Sequence, residues 1–372
     1  MKLINNKSIN VAIVGAGLNG LALALSLRVF GIDATVYEKS DKPRIDGTGI
    51  IMWPEGMQVL AALTDAAKVK NLGNTIDILT TATFSSEILS RISMRQIGGK
   101  VNADVGLFHR RELYQLLLDT YGAEKIVTGQ HCTVENDVIL LNGEPLIADV
   151  IVGVDGVFSQ VRKFVAPHVA LRYPNVYCCR GMVDYYNPAL SDNECYVFAG
   201  IRSRIVTYTY NRETHGKYWF AACRVNSGEA LNKQKILDQF SSYSTYLLEM
   251  IEKTPEDKIL PSQLVDIAPF EQWSRGNAVL LGDSCCAVLP TMGIGFSLGI
   301  ENAFILAQSL ASNFFDIPQA FARYTYRAQQ RSHDLQNITH RLSELTYTEV
   351  FDPSEVTLLY QRFTKVNSNS PF

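Results

Sequence analysis

Apolar positions near the amino end run from Val11 to Phe30, but the run changes character within itself. Val11 to Val14 is a short unbroken apolar stretch; three glycines and Asn19 then interrupt it, and apolar residues recur at helical spacing from Leu18 to Phe30 before Gly31. The pattern predicts a buried strand, a tight turn, and a helix that stops at the glycine. A membrane span or signal peptide fits poorly, because the glycines cut the run, Arg28 closes it, and no basic stretch with an A-x-A-like cleavage site precedes it. Asp33 to Glu38 reads as a second strand, which completes the β-α-β unit of a doubly wound parallel sheet. A helix is expected over Glu112 to Tyr121 and another buried strand over Leu146 to Val154.

From Val176 to Arg224 the texture changes to short β-branched and aromatic runs separated by polar turns, the mark of an antiparallel sheet in a second domain. Helical spacing covers Ile236 to Lys253, a buried strand returns at Ala278 to Leu281, and the stretch from Leu298 to about Leu345 is predominantly helical. The strand at 278 is placed to rejoin the first sheet. The expected division is therefore one discontinuous domain over 1–172 and 265–330, a β-sheet domain over 173–264, and a helical segment with a tail over 331–372. The polar end, Asn367 to Phe372, is expected to be disordered. There is no internal repeat or low-complexity segment.

Composition narrows the function classes. The 372 residues are 47% apolar and 19% charged, with a net charge of -3, as in a soluble globular protein without a broad nucleic-acid-binding face. A core of this size calls for two packed domains, and the expected assembly is a monomer or homodimer. The seven cysteines include the adjacent pairs Cys178-Cys179 and Cys285-Cys286 but no C-x-x-C, and the six histidines form no metal-binding spacing. Reduced thiols, a cytoplasmic location and no protein-bound metal are the expectations.

Three segments carry candidate chemistry. The first is Gly15-Ala16-Gly17-Leu18-Asn19-Gly20, a G-x-G-x-x-G between strand and helix, with Glu38 and Lys39 at the end of the next strand. Gly15 permits the turn, Gly17 lets a pyrophosphate approach the backbone, Gly20 lets helix and strand pack closely, and Glu38 is placed for ribose hydroxyls. This motif alone does not separate NAD from FAD. The second segment, Gly153 to Arg162, is a strand ending in Asp155-Gly156, which an ordinary turn would also explain. The third, Gly282 to Ala303, places Asp283 after a buried strand and leads through Pro290, Gly293, Ile294 and Gly295 into a helix. Its backbone N–H groups suit an anion or polar ring edge, and Asp283 suits the hydroxyls of a sugar-like chain, although a cap and turn would look similar.

In this order and at these separations the three segments resemble the single-component FAD-dependent aromatic hydroxylases of the p-hydroxybenzoate hydroxylase type, which include salicylate and urate hydroxylases and tetracycline-inactivating monooxygenases. The resemblance extends from Val11 to about Tyr326 and includes Ile51-Met52-Trp53-Pro54-Glu55-Gly56 and His109-Arg110-Arg111-Glu112-Leu113. It implies an α/β fold with a Rossmann-like FAD-binding domain on a parallel sheet, an antiparallel-sheet substrate domain and C-terminal helices. It also implies that Arg110 touches the FAD pyrophosphate or ribityl region, that Asp283 meets the ribitol, and that Asp155-Gly156 serves both FAD and a passing nicotinamide nucleotide. By the same resemblance NADPH or NADH reduces FAD, O2 adds to give a C4a-hydroperoxide, and its distal oxygen passes to an electron-rich aromatic or polyketide-like substrate. Two departures stand out: Cys286 where the family usually has histidine, and Ile294 in place of glutamine in Gly-Gln-Gly. They bear on the tuning of the flavin pocket more than on flavin binding.

The substrate is expected between the antiparallel sheet and the flavin. Arg180 lies in an apolar stretch, so its charge calls for an anionic or phenolic partner or an internal carboxylate such as Asp184. Tyr208, Tyr210 and Trp219 are placed to stack on an aromatic substrate or to fill the core. Two other functions are compatible with the motifs: a flavin reductase or dehydrogenase without oxygen insertion, and a non-catalytic nucleotide-binding module.

Overall fold

The structure, a computed structural model, describes residues 9–42, 47–94, 104–225, 231–313, 315–349 and 353–370. Its centre is the strand Val11–Val14, buried at every position. It pairs in parallel with Val150–Gly153 on one side and Ala34–Tyr37 on the other. Six strands form this sheet in the order Ser274–Arg275, Ala278–Leu280, Val150–Gly153, Val11–Val14, Ala34–Tyr37, Ile126–Val127. Only Ser274–Arg275 runs antiparallel to its neighbour. Residues buried on both faces explain the continuous apolar runs at 11 and 150, since helices cover each side.

The helix Leu18–Val29 is buried from Leu18 to Leu27 except at Asn19. Such all-round burial follows from its position between the sheet and the helices Gly295–Ser312 and Arg110–Tyr121. The strand Ala278–Leu280 rejoins this sheet as the sequence predicts.

The second sheet has seven strands, in the order Leu260–Gln263, Val176–Asp184, Gly216–Arg224, Ser203–Asn211, Glu194–Gly200, Ile78–Thr83, Ile88–Ser93. The last two come from the span assigned to the first domain by sequence, so the expected boundary at residue 172 does not hold for residues 78–93. Their pairing is long-range, with Ile78–Thr83 running parallel to Glu194–Gly200. No local turn signal announces such a partner.

Alternation sorts this sheet into two faces. Cys178, Met182, Tyr208, Tyr218, Phe220 and Ala222 pack toward the core around the parallel sheet. Cys179, Ile205, Trp219, Ala221 and Cys223 pack into a separate core with the helices Lys233–Gln239 and Thr245–Lys253. These two helices replace the single one expected over 236–253, and Asn232 caps the first of them through Lys235 N–H. Likewise the stretch from Leu298 to Leu345 is two helices, Gly295–Ser312 and Ile317–Thr346. Asp316 caps the second, with Pro318 in its first turn. That helix runs across residue 330, so the expected boundary there divides no structural unit.

A last helix, Pro353–Asn367, packs on Ile317–Thr346. The tail expected to be disordered is folded in from Asn367, which is 2% exposed, to Ser370, whose hydroxyl bonds Glu301; Pro371 and Phe372 lie outside the described residues.

The parity of the strands yields a prediction. Trp219 is fully buried on the face away from the first domain, with its indole N–H on the Thr254 hydroxyl at 2.8 Å. Trp219→Ala is expected to lower unfolding stability by about 3–5 kcal/mol in a urea titration, the ordinary cost of emptying a large aromatic site.

Candidate active site

A cleft enclosing about 390 Å³ lies between the tip of the parallel sheet and the inner face of the antiparallel sheet. The three motifs form one wall. Gly15 has φ +113°, and a Cβ there would fall 2.5 Å from the Val154 carbonyl oxygen; a Cβ on Gly20 would fall 1.9 Å from the Gly15 carbonyl oxygen. Both glycines are therefore required by the protein's own packing. Gly17 differs: its Cβ would meet nothing within 4 Å, and it lines the cleft with Leu18 and Asn19. No side chain caps the helix that starts there. Its first N–H groups and the positive end of its dipole are left for an anion.

Glu38 is held beside this turn, its carboxylate accepting from Ala16 N–H and Ser40 N–H, each at 3.0 Å. Neither Glu38 nor Lys39 lines the cleft. Asp155 is also turned to the protein: it accepts from Gln160 N–H at 2.6 Å and Val161 N–H at 3.2 Å, and from the Ser159 hydroxyl. Burial pushes its pKa up and these bonds oppose the rise. Gly156, with φ +80° and open space at its Cβ position, is the member of this pair that faces the cleft. Arg162, whose role its sequence context does not reveal, is buried and donates to the Ser284 carbonyl at 3.1 Å. It ties the second motif to the third.

Asp283 opens onto the cleft together with Arg110. Surrounding protein pushes the Asp283 pKa up, and the Arg110 charge opposes that rise. Arg110 is placed by its own backbone, whose N–H bonds the Thr48 carbonyl at 2.8 Å, and by a helix start that His109 caps through Arg111 N–H. Pro290, Gly293 and Gly295 line the cleft, and Gly293 has φ +63°. The side chain of Ile294 does not: it is fully buried in the core behind the loop, so only its backbone is left toward the cleft side. Cys286 is 3% exposed and also lies off the cleft. The two family departures thus fall on packing positions.

The opposite wall is the inner face of the antiparallel sheet, with Arg180, Val206, Tyr208, Tyr218 and Phe220. Cross-strand register brings these together, pairing Arg180 with Phe220, Val206 with Phe220, and Tyr208 with Tyr218. The two tyrosine rings lie 4.8 Å apart, and Gly49 packs on both so closely that a Cβ would fall 2.3 Å from the Tyr208 hydroxyl. Burial raises the Tyr208 pKa well above its usual value and pushes Tyr218 up to about 12. Both hydroxyls keep their protons at neutral pH and can donate them in hydrogen bonds.

Arg180 stands 5.9 Å from the Phe220 ring centroid, and Arg204 lies over the same ring at 5.4 Å. Arg204 is buried and reaches the Thr291 carbonyl at 3.3 Å, a long contact beside the cleft loop. Among the described residues no carboxylate forms an ion pair with Arg180. Asp184, its expected internal partner, instead accepts from the Thr214 hydroxyl at 2.8 Å.

Two substrate candidates fall elsewhere. Trp219 faces the other side of the sheet, as its odd position between Tyr218 and Phe220 requires. Tyr210 lies edge-on to His109 and borders a separate surface recess with Phe108 and Glu112. Tyr218 and Phe220 were missed as site residues, although alternation with Tyr208 across one ladder marks them. Among the described residues no group of three or more His, Cys, Asp and Glu could hold a metal ion, and no helix is long and apolar enough to cross a membrane.

The geometry fits an extended ligand with a diphosphate at one end and a polar ring at the other: an open glycine and an uncapped helix start, a polar pair at Arg110 and Asp283, then a loop rich in backbone donors. Comparison with known proteins agrees. The model of the FAD binding domain family matches residues 8–335. The chain is 27% identical over 347 residues to the aurachin C monooxygenase/isomerase of Stigmatella aurantiaca, covering 91% of this chain and 89% of that protein. It is 26% identical to the FAD-dependent urate hydroxylase of Mycolicibacterium vanbaalenii, covering 94% and 91%. Its fold matches that of Klebsiella pneumoniae HpxO, solved with FAD and uric acid, with a TM-score of 0.84 at 21% identity over 96% of this chain and 93% of that one. With this fold, this family match and a cleft shaped for a flavin dinucleotide, the chain belongs to the FAD binding domain family, among the FAD-dependent monooxygenases of the p-hydroxybenzoate hydroxylase type.

Proposed function

We propose that the chain hydroxylates a small aromatic substrate bearing an acidic group, using NADPH or NADH and O2. The observation that carries this reading is the patch of Arg180, Tyr208, Tyr218 and Phe220, which faces the flavin loop across one cleft. When bound, FAD supplies the redox chemistry, accepting a hydride from the nicotinamide nucleotide and activating O2 for transfer to the substrate.

The chain's own residues do the rest. The helix start at Leu18 holds the diphosphate, aided by Gly17 and Gly156, whose missing side chains leave room for it. Arg110 balances negative charge, and Asp283 accepts from ribityl hydroxyls. Phe220 and Val206, with Ile50, Ile51 and Phe296 opposite, form apolar surfaces that exclude water and hold a flat ring. Arg180 takes the substrate's anionic group, while the protonated hydroxyls of Tyr208 and Tyr218 donate to a ring oxygen. The side chains of Cys286 and Ile294, the two departures from the family pattern, are buried off the cleft, which supports a flavin pocket of ordinary shape. A cytoplasmic location is supported by seven free thiols, six of them buried.

Three outcomes test this reading. Turnover under oxygen-18 gas is expected to label the product; substrate-stimulated NAD(P)H oxidation with no label would point to a reductase. Gly17→Ala is expected to leave the unfolding midpoint of the apoprotein unchanged, because the new methyl meets no protein atom, yet to yield a colourless protein in flavin titrations. Arg180→Met is expected to raise KM about tenfold to a hundredfold for a carboxylate-bearing phenol, the worth of one charged hydrogen bond, while the KM of the neutral phenol stays put.

A further inference from the structure

We infer that the C-terminal segment is a positioning element for the flavin loop, acting through a buried charge cluster and Trp53 without touching the flavin. The inference rests on FAD binding at the cleft and assigns a role to residues outside it.

The cluster is organised by Arg331 of the helix Ile317–Thr346, only 9% exposed, whose guanidinium lies 3.0 Å from the Glu301 carboxylate. Glu301 is fully buried on the helix Gly295–Ser312, the helix whose first turn lines the cleft. The same guanidinium bonds the Asn367 side-chain oxygen at 3.0 Å and reaches the Val366 carbonyl at 3.3 Å. It thereby caps the end of the last helix, where carbonyls have no intrahelical donor. Asn367 in turn donates its amide to Glu55 at 3.1 Å, and Ser370 donates to Glu301 at 2.8 Å. Arg331 pairs directly with Glu301 and is joined to Glu55 through Asn367, and burial pushes the pKa of both carboxylates upward. Two of the donors that satisfy them belong to the tail. Losing such a donor leaves a buried acceptor unmade, a state that drives local rearrangement.

A second contact leads from the same tail to the loop. Two residues before Glu55, Trp53 packs edge-on against Phe363 of the last helix, with ring centroids 4.9 Å apart. Its indole N–H donates to the Met292 carbonyl at 3.0 Å, and its backbone N–H donates to the Ser297 hydroxyl at 2.8 Å. Met292 and Ser297 bracket the turn whose Gly293, Gly295 and Phe296 line the cleft. There is no slack between these elements, since a Cβ on Gly56 would fall 2.8 Å from the Ser297 Cα. Movement of the last helix therefore passes to both ends of the flavin loop.

The test titrates apoprotein with FAD at a temperature where each variant is fully folded by circular dichroism. It also measures the share of NAD(P)H electrons released as hydrogen peroxide. Asn367→Ala and a chain ending at Val366 are expected to raise the FAD Kd about five- to tenfold, in the range of ordinary coupling between sites, and to raise the peroxide share. Trp219→Phe, which weakens the distant core and lies off the cleft, is expected to lower stability and leave both readings unchanged. Should the shortened chain not fold, Asn367→Ala and Ser370→Ala decide. A Kd shifted by less than about twofold in the folded tail variants, or shifted equally by Trp219→Phe, overturns the inference. In either case wild-type binding of FAD stands as a separate result.

Discussion

A helix start at the tip of a parallel sheet, open to the cleft and with no side chain to cap it, is the constraint around which the molecule is arranged. The strand before it needs helices on both faces, which fixes the close packing at Gly15 and Gly20 and presents the N–H groups of Leu18 and its neighbours to a single cleft. An anion satisfies these donors and the dipole together. From that point the cleft continues past Arg110 and Asp283 to the loop at Pro290, giving a long ligand a continuous path.

The site then divides by physical character. Its cofactor half is made of backbone donors and a few fixed charges, held by ties such as Arg162 to Ser284 and Glu38 to Ala16. Its other half is one face of a β-ladder, where register sets which side chains meet. On the proposed reading, different residues at positions such as Arg180 or Tyr208 would change the ligand accepted while the opposite wall stays as it is.

Much of this was legible in the sequence, for reasons that can be named. The run Val11 to Gly20 carries strand, turn and helix in residues that permit little else, and the strand at 278 shows its burial in its composition. For Trp219 the sequence allows both substrate stacking and the core, and alternation with Tyr218 and Phe220 decides for the core on the other face. Spacing points Glu38 to ribose hydroxyls and the family resemblance points Asp155 to the cofactors, and neither signal reveals that both carboxylates bond the backbone of their own turns. The strands at 78–93 depend on a partner far along the chain. The tail looked disordered because it is polar, whereas Arg331, Glu301 and Glu55 give that polarity buried partners. Cys286 and Ile294 looked like changes at the flavin because the family pattern aligns them there, while their side chains point into the core.

The most direct test is a crystal structure of the FAD-loaded protein. The account predicts the diphosphate within hydrogen-bonding distance of the N–H groups that open the helix at Leu18, and the isoalloxazine between the Pro290 loop and the wall of Arg180, Tyr208 and Phe220. A diphosphate bound away from that helix end, or a ring lying outside the cleft, would contradict it.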